Sequence, residues 1–385
     1  MRIAVGLLLL GIGVGATGCK GCEDGNGEEK PTVVSDPPDP HDVGSWLTMK
    51  ADSKGNPVVA YYDRTSDGLG YAVGKVSGSG VTWVTEEVDS YPDENGLNPG
   101  DAGRYASMSF DNEGVPWIVY QDTTNGTLKY ARKDDGGWSS AMADVGGGSK
   151  SDAGYWASLA IDKDGNPVAV HYDKGRGDLR IARWTGDKFQ GAIVDEGTDY
   201  DPADSGLETV PGNTGEYAKI TVGDDGKEYI AYYDRAWGAL RLAVGNGTSF
   251  NIVTVDDDGD VGQWPDVVVA GGKVYIAYQD VTQGHLKLAV GSGSSFDVEV
   301  VDAAAYTGAD TALWVDGSSP GILYFDGVNN DQKLARKDGA AWKIETVTGS
   351  DSARGYHNES IAVDGKRFSA CYDYTTREIW FAALP

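Results

Sequence analysis

The chain has 385 residues and a formal net charge of −27. The excess of 59 Asp and Glu over 32 Lys and Arg argues against nucleic acid as a partner, because binding to a phosphate backbone depends on clustered cations. With 55 Gly, 21 Tyr and 11 Trp, the composition favours many short strands joined by turns over helices.

Residues 1–18 are predicted to be a signal peptide. A short basic start precedes the apolar run Ile3–Val14, which is too short to span a bilayer comfortably as a mature helix. Ala16 and Gly18 directly precede Cys19, and this arrangement resembles the lipobox of bacterial lipoproteins. That resemblance implies cleavage before Cys19 and lipid attachment to its thiol and new amino group. A secreted protein without lipid is the alternative.

Residues 19–30 are rich in Gly, Glu, Asp and Asn and are predicted to form a flexible, lipid-anchored tether. Cys22 lies in this tether and Cys371 in a predicted strand, so we expect no structural disulfide. We expect a monomer in the bacterial cell envelope, on the outer membrane, either periplasmic or surface-exposed. The lipid anchor is its expected membrane contact.

A repeated unit of about 46 residues organises the rest of the chain, as between Asp234 and Asp280. Each unit reads as four short antiparallel strands, and its second strand ends in a Tyr-x-Asp-like triplet. Seven such aspartates occur: Asp63, Asp122, Asp173, Asp234, Asp280, Asp326 and Asp373. The pattern predicts an all-β fold, a seven-bladed β-propeller over residues 31–385. Blade 7 lacks a fourth strand of its own, so residues 31–36 are predicted to complete it and close the ring.

The seven aspartates are interpreted as turn-capping residues. Asp122 opens the turn "DTTNG", where its side chain can accept hydrogen bonds from backbone N–H groups two or three residues further on. The alternative is a ring of seven binding carboxylates. Such bare carboxylates would repel one another in a dry site, so the structural interpretation is preferred.

Units ending in "LKYARKDDGGW" resemble degenerate sialidase-type (bacterial neuraminidase) repeats, and the repeats are also similar to those of fucose-lectin-like propellers. The resemblance covers residues 31–385 and implies a fold more strongly than a function, because propellers include hydrolases, lectins and scaffolds. A sialidase would need three arginines that clamp a carboxylate. The Arg-Ile-Pro-type motif of the first is absent, although Arg104, Arg235 and Arg354 are expected in or near ligand-side loops.

Aromatic residues recur where the first strand of a blade begins. Five of them align in blades 1–5, and Asp310 and Asn358 stand there in blades 6 and 7; the five are Trp46, Tyr105, Trp156, Tyr217 and Trp264. Around a funnel mouth they could stack on sugars or anchor a protein partner. The alternative is that each ring packs between adjacent blades.

The segment "SARGYHNES" departs from the repeat at the entry to blade 7. It brings together the candidate binding residues Arg354, Tyr356, His357 and Glu359. Glu359 occupies a position that is small or apolar in most blades. A salt bridge with Arg354 is the alternative interpretation of this glutamate.

The sequence predicts no cofactor other than calcium. Asp199, Asp201 and Asp204 lie close together in a long acidic loop and offer the hard oxygen ligands that Ca²⁺ prefers. "DKDGNP" at Asp162–Pro167 resembles the start of a calcium loop but is interpreted as a strand-to-strand turn.

We therefore expect an exported, lipid-anchored and non-catalytic propeller that recognises a glycan or a protein at the cell surface. A sialidase-like glycan hydrolase and a structural subunit of an envelope complex are the alternatives.

Overall fold

The computed structural model describes residues 41–77, 80–90, 100–198, 212–247, 249–349 and 352–385. Its regular elements are 27 β-strands, grouped in seven antiparallel sheets of consecutive strands. In this part of the chain no helix is long and apolar enough to cross a bilayer.

The first four sheets contain strands β1–β16 and form blades 1–4. Blade 1 consists of Val43–Ala51, Pro57–Asp63, Gly68–Ser77 and Gly80–Asp89. Blade 2 consists of Ala102–Phe110, Pro116–Asp122, Thr127–Asp134 and Gly137–Asp144. Blade 3 consists of Tyr155–Ile161, Pro167–Asp173, Asp178–Trp184 and Phe189–Asp195. Blade 4 consists of Thr214–Val222, Glu228–Asp234, Ala239–Asn246 and Ser249–Asp256.

The remaining sheets contain strands β17–β27 and form blades 5–7. Blade 5 consists of Val261–Ala270, Lys273–Asp280, His285–Ser292 and Ser295–Asp302. Blade 6 consists of Thr307–Asp316, Ser319–Asp326, Asp331–Asp338 and Ala341–Thr346. Blade 7 consists of Arg354–Val363, Lys366–Asp373 and Glu378–Ala383, three strands within the described residues. The predicted closing strand, residues 31–36, lies outside them.

The first strands of neighbouring blades contact one another in a closed ring, with blade 7 against blade 1. The predicted seven-bladed β-propeller is therefore confirmed. The last blade packs directly against the first. Met49 and Val59 of blade 1 share a buried hydrophobic cluster with Phe368 and Ala370 of blade 7.

The hydrophobic core lies between the blades. Second strands such as Pro116–Asp122 and Pro167–Asp173 are buried at every residue, since both faces of a blade are covered by its neighbours. Removing apolar surface from water stabilises the fold by about 25 cal/mol per Å². Fourth strands such as Ser249–Asp256 are mostly exposed or half-buried and form the outer edge of the ring.

All seven repeat aspartates cap their own turns. Asp122 accepts the backbone N–H of Asn125 at 3.1 Å, and Asp373 accepts those of Thr375 and Thr376 at 2.9 and 3.1 Å. The other five likewise accept an N–H two or three residues further on. The structural interpretation of these residues is confirmed.

Candidate functional site

A bulge interrupts the first strand of every blade at one equivalent residue. There the backbone is left-handed, with φ between 46° and 60°, and the glycine two residues earlier has φ between 95° and 121°. Bulges redirect a side chain away from the regular pleat. We call these residues the collar; they are Trp46, Tyr105, Trp156, Tyr217, Trp264, Asp310 and His357.

The blade 7 member of the collar is His357, so the alignment that placed Asn358 there was wrong. The glycine two residues before each collar residue is the sequence signal that identifies it, and Gly355 selects His357. Asn358 is instead a buried link between blades. Its Nδ2 donates to the carbonyl of Asp310 at 2.8 Å, and its Oδ1 accepts from Gln332 at 2.6 Å.

All seven collar side chains line one cavity on the propeller axis, of about 580 Å³ including its open mouth. The aromatic rings contact one another across blade boundaries. Ring centroids are 5.0 Å apart for Trp46 and Tyr105, 4.6 Å for Trp156 and Tyr217, and 4.3 Å for Tyr217 and Trp264. Each ring therefore packs on a neighbouring ring and also faces the cavity, and its role in binding stays a prediction.

Asp310 and His357 occupy the gap in the aromatic series. The Nδ1 of His357 lies 3.6 Å from the Oδ1 of Asp310. Burial raises the pKa of the Asp310 carboxyl to about 7, against the opposing effects of the His357 backbone N–H and of Lys219. Burial and the charge of Lys219 lower the pKa of His357 to about 4. At mildly acidic pH both groups are therefore neutral.

Glu359 also lines the cavity, but its carboxylate joins blade 7 to blade 1. It lies two residues after the collar, where the backbone N–H of Met49 donates to it. Other blades use the same position in the same way. The N–H of Leu159 donates to Ser107 at 3.0 Å, and that of Leu313 donates to Asp266 at 2.7 Å. Burial raises the pKa of Glu359, because its charged form is poorly solvated.

Lys219 is a cavity residue that sequence reasoning missed. It lies two residues after the collar residue Tyr217, and its positive charge opposes the effect of burial on the pKa values of Asp310 and Glu359. Its spacing from Tyr217 was the available signal, since Ser107 and Ser158 occupy the same position in blades 2 and 3.

Arg354 and Tyr356 do not line the cavity, unlike His357 and Glu359. Arg354 donates to Asp373 at 2.7 Å and lies 5.5 Å from the ring centroid of Trp380. The proposed salt bridge between Glu359 and Arg354 is therefore wrong; Asp373 is the carboxylate that pairs with this arginine.

The three candidate arginines are held apart by carboxylates of their own blades. Arg235 binds Glu216 through two hydrogen bonds of 2.7 Å, and Arg104 binds Asp101. Arg354 binds Asp373. None of the three is among the described residues that line the axial cavity.

The predicted calcium ligands Asp199, Asp201 and Asp204 lie outside the described residues, as does Cys19. Within the described ranges, no group of three or more His, Cys, Asp or Glu is placed to hold a metal ion. The "DKDGNP" segment is a turn, as predicted. Asp162 accepts the backbone N–H groups of Asp164 and Asn166, both at 2.8 Å.

No protein-family profile matches this chain, and no curated protein does. Among solved structures, a protein of unknown function from Dyadobacter fermentans is 13% identical, with a TM-score of 0.51 over 77% of this chain and 96% of the other. The NanB sialidase from Streptococcus pneumoniae is 8% identical, with a TM-score of 0.48 over 86% and 83%. The SapL1 lectin, solved with alpha methyl fucoside, is 15% identical, with a TM-score of 0.44 over 73% and 96%.

The structural neighbours thus include sialidases and a fucose-binding lectin, as the repeat resemblance suggested. At these identities the likeness shows the propeller fold alone. It does not decide between binding and catalysis, a question that rests on the chemistry of the cavity.

Proposed function

We propose that this protein is a non-catalytic propeller that recognises a glycan through the collar. The observation that carries the proposal is the convergence of five aromatic side chains on one axial cavity. Aromatic rings combine a broad apolar face with a polar edge, which suits the apolar faces and hydroxyl groups of sugars. Asp310 and His357 supply hydrogen-bonding groups on the remaining side.

A recessed site favours a glycan over a protein as the ligand. The collar residues are half-buried and lie inside the cavity, whereas a stable protein interface buries about 800 Å² on each partner. A protein could reach the collar through a single inserted side chain, which is the alternative.

The polar groups of the cavity support binding without catalysis. Glu359 is engaged by the backbone of Met49, and the three candidate arginines are paired with carboxylates outside the cavity. Asp310 is the one acid of the collar, and the Nδ1 of His357 lies 3.6 Å from its Oδ1.

A glycan array followed by calorimetry tests the proposal. Trp156→Ala should weaken binding of an array hit by about tenfold, because an aromatic contact contributes about 1 kcal/mol or slightly more. Trp138→Ala is the matched control, since Trp138 lies on the fourth strand of blade 2, away from the axis. Equal effects of the two changes, an array without hits, or hydrolysis of the bound glycan would contradict the proposal.

We also infer that the chain is exported and anchored through lipid on Cys19. The apolar run Ile3–Val14 and the small residues before Cys19 support this. Acyl chains contribute about 0.8 kcal/mol per buried CH₂, so several long chains would hold the protein firmly on a membrane. Cys19→Ser should abolish metabolic labelling with a fatty-acid analogue, and Cys22→Ser should not. Labelling that persists in Cys19→Ser would refute the anchor.

A further inference from the structure

Two tyrosines of blades 6 and 7 are strongly exposed on the face formed by the loops that enter the first strands. Tyr306 is 70% exposed in the loop that enters blade 6, and Tyr374 is 63% exposed in the turn after the second strand of blade 7. Entry loops and these turns share one face, because the carbonyl of Tyr306 accepts the N–H of Gly327 at 2.8 Å. The N–H of Tyr374 likewise donates to the carbonyl of Ala353 at 2.8 Å.

Among the described entry loops, Tyr306 departs from the repeat. Four residues before the collar, blades 1–5 carry Asp or Asn, and blade 6 carries Tyr306; the five polar residues are Asp42, Asp101, Asp152, Asn213 and Asp260. Several of these hold structural hydrogen bonds, as between Asp42 and the hydroxyl of Tyr372 at 2.7 Å. In blade 6 this repeated polar contact is thus replaced by an aromatic ring that is exposed to water, and covering such a ring is favourable.

Two half-buried rings connect Tyr374 with the collar region. Tyr356 lies 4.4 Å from Phe325 and 5.9 Å from Tyr374 between ring centroids. Gly327 lies between Phe325 and Tyr306, since a Cβ on it would lie 3.4 Å from the Cβ of Tyr306 and 3.7 Å from the Phe325 ring. We call Tyr306, Phe325, Tyr356 and Tyr374 the outer strip.

The outer strip begins where the collar has no aromatic ring. Tyr356 directly precedes His357, and the other collar residue of this sector is Asp310. Phe325 pairs across the sheet with Ala309, the residue directly before Asp310. The outer strip therefore adjoins the gap in the collar, although Tyr356 does not itself line the cavity.

We propose that the outer strip is a second glycan subsite, so that the protein binds a neutral oligosaccharide whose end enters the collar and whose next units cross blades 6 and 7. This inference rests on the proposed glycan recognition at the collar. It adds that the glycan is longer than one sugar unit and that it extends from the collar across blades 6 and 7. A neutral ligand is favoured because the chain carries a net charge of −27 and the arginines of this face are paired with carboxylates. A lone collar would recognise only the terminal unit.

Chain-length dependence tests the proposal in the full-length protein. The probes are glucose with cellotetraose, and N-acetylglucosamine with tetra-N-acetylchitotetraose, followed by calorimetry or intrinsic tryptophan fluorescence. We expect at least one tetrasaccharide to bind ten times more tightly than its monosaccharide. Tyr374→Ala should remove that gain and leave monosaccharide binding unchanged.

Trp237→Ala is the matched control, because Trp237 is an aromatic residue 46% exposed on the equivalent turn of blade 4. It should preserve the gain with chain length. Equal affinities for monosaccharide and tetrasaccharide would overturn the outer strip and leave the collar proposal standing. A tetrasaccharide gain that survives Tyr374→Ala, or is lost equally in Trp237→Ala, would also overturn it. Binding of 3′-sialyllactose and of none of the neutral sugars would refute the proposal of a neutral ligand. The effect of Trp156→Ala on monosaccharide binding tests the collar separately.

Discussion

The residues of the collar share one backbone conformation and differ in charge. Trp264 and Asp310 have φ values of 53° and 49°, yet one is an uncharged ring and the other a buried carboxyl. A positive φ on a bulky residue costs about 1–3 kcal/mol and persists only where the surroundings impose it. Seven such residues in one ring indicate that the bulge belongs to the propeller, whereas the side chain at this position varies in charge and polarity.

Asp310 should make stability depend on pH. The pKa of its carboxyl is about 7 in the folded protein against an ordinary value of 3.8, so the folded state holds this proton more tightly than the unfolded state. The resulting stabilisation is present at low pH and is lost as the pH rises through about 7. That difference in pKa corresponds to at most about 4 kcal/mol.

Asp310→Asn should therefore gain stability over the native protein as the pH rises from about 4 to about 7, with no further gain above pH 7, as measured by urea unfolding. The exposed turn carboxylate Asp164, changed to Asn, should show no such trend. His357 acts in the opposite direction. Its pKa falls from 6.5 to about 4 in the folded protein, because its charged form is disfavoured there. The stabilisation of the folded state by neutral His357 is therefore lost as the pH drops from about 6.5 towards 4. A gain that is independent of pH would refute the role of the Asp310 carboxyl.

At the scale of the element, the first strand depends on its glycine. Gly262 has a φ of +100°, and a Cβ there would lie 2.6 Å from the Cα of Leu240 in the third strand of the preceding blade. The glycine thus permits two blades to approach closely just before the collar residue Trp264. The positive φ and the close approach to Leu240 both require glycine at this position. The residue two positions after such a glycine can therefore be identified from the sequence as a collar residue.

Gly262→Ala should destabilise the protein by about 2 kcal/mol or more, because it adds both steric overlap and backbone strain. Equilibrium unfolding in urea measures the change. Gly349→Ala is the control, since Gly349 is exposed, has no positive φ and has open space around its Cβ position. Equal stability of the two variants would mean that the bulge does not require glycine.

The whole molecule depends on how the last blade meets the first. In four blades the tyrosine two residues before the turn aspartate donates to the aspartate that ends the preceding blade; the pairs are Tyr120 with Asp89, Tyr232 with Asp195, Tyr278 with Asp256 and Tyr324 with Asp302. In blade 1 the equivalent tyrosine is Tyr61. If residues 31–36 complete blade 7, Asp36 is the carboxylate that this pattern assigns to Tyr61.

The role of residues 31–36 stays a prediction, because they lie outside the described residues. Their deletion should lower the melting temperature by about 5 °C or more, since a missing edge strand would cost several kcal/mol. Deleting residues 23–28 of the predicted tether should have little effect. An unchanged melting temperature after the first deletion would show that blade 7 is stable without this segment.

The sequence by itself determined the number of blades, their strand order and the capping role of the seven aspartates. These features are local. Asp122 and the residue whose N–H it caps are three positions apart, and the order of strands and turns is the same within each unit. The same locality revealed the five collar aromatics, because equivalent positions in a repeat need no knowledge of contacts between units.

Only the tertiary structure decided what those positions do together. It placed residues from seven separated units around one axis, assigned Arg354 to Asp373 rather than Glu359, and showed that His357 completes the collar. It also explained the buried carboxyl of Asp310, since desolvation depends on surroundings that come from other blades. Spacing along the chain predicts a repeat, whereas ring closure brings distant residues together and thereby creates the cavity.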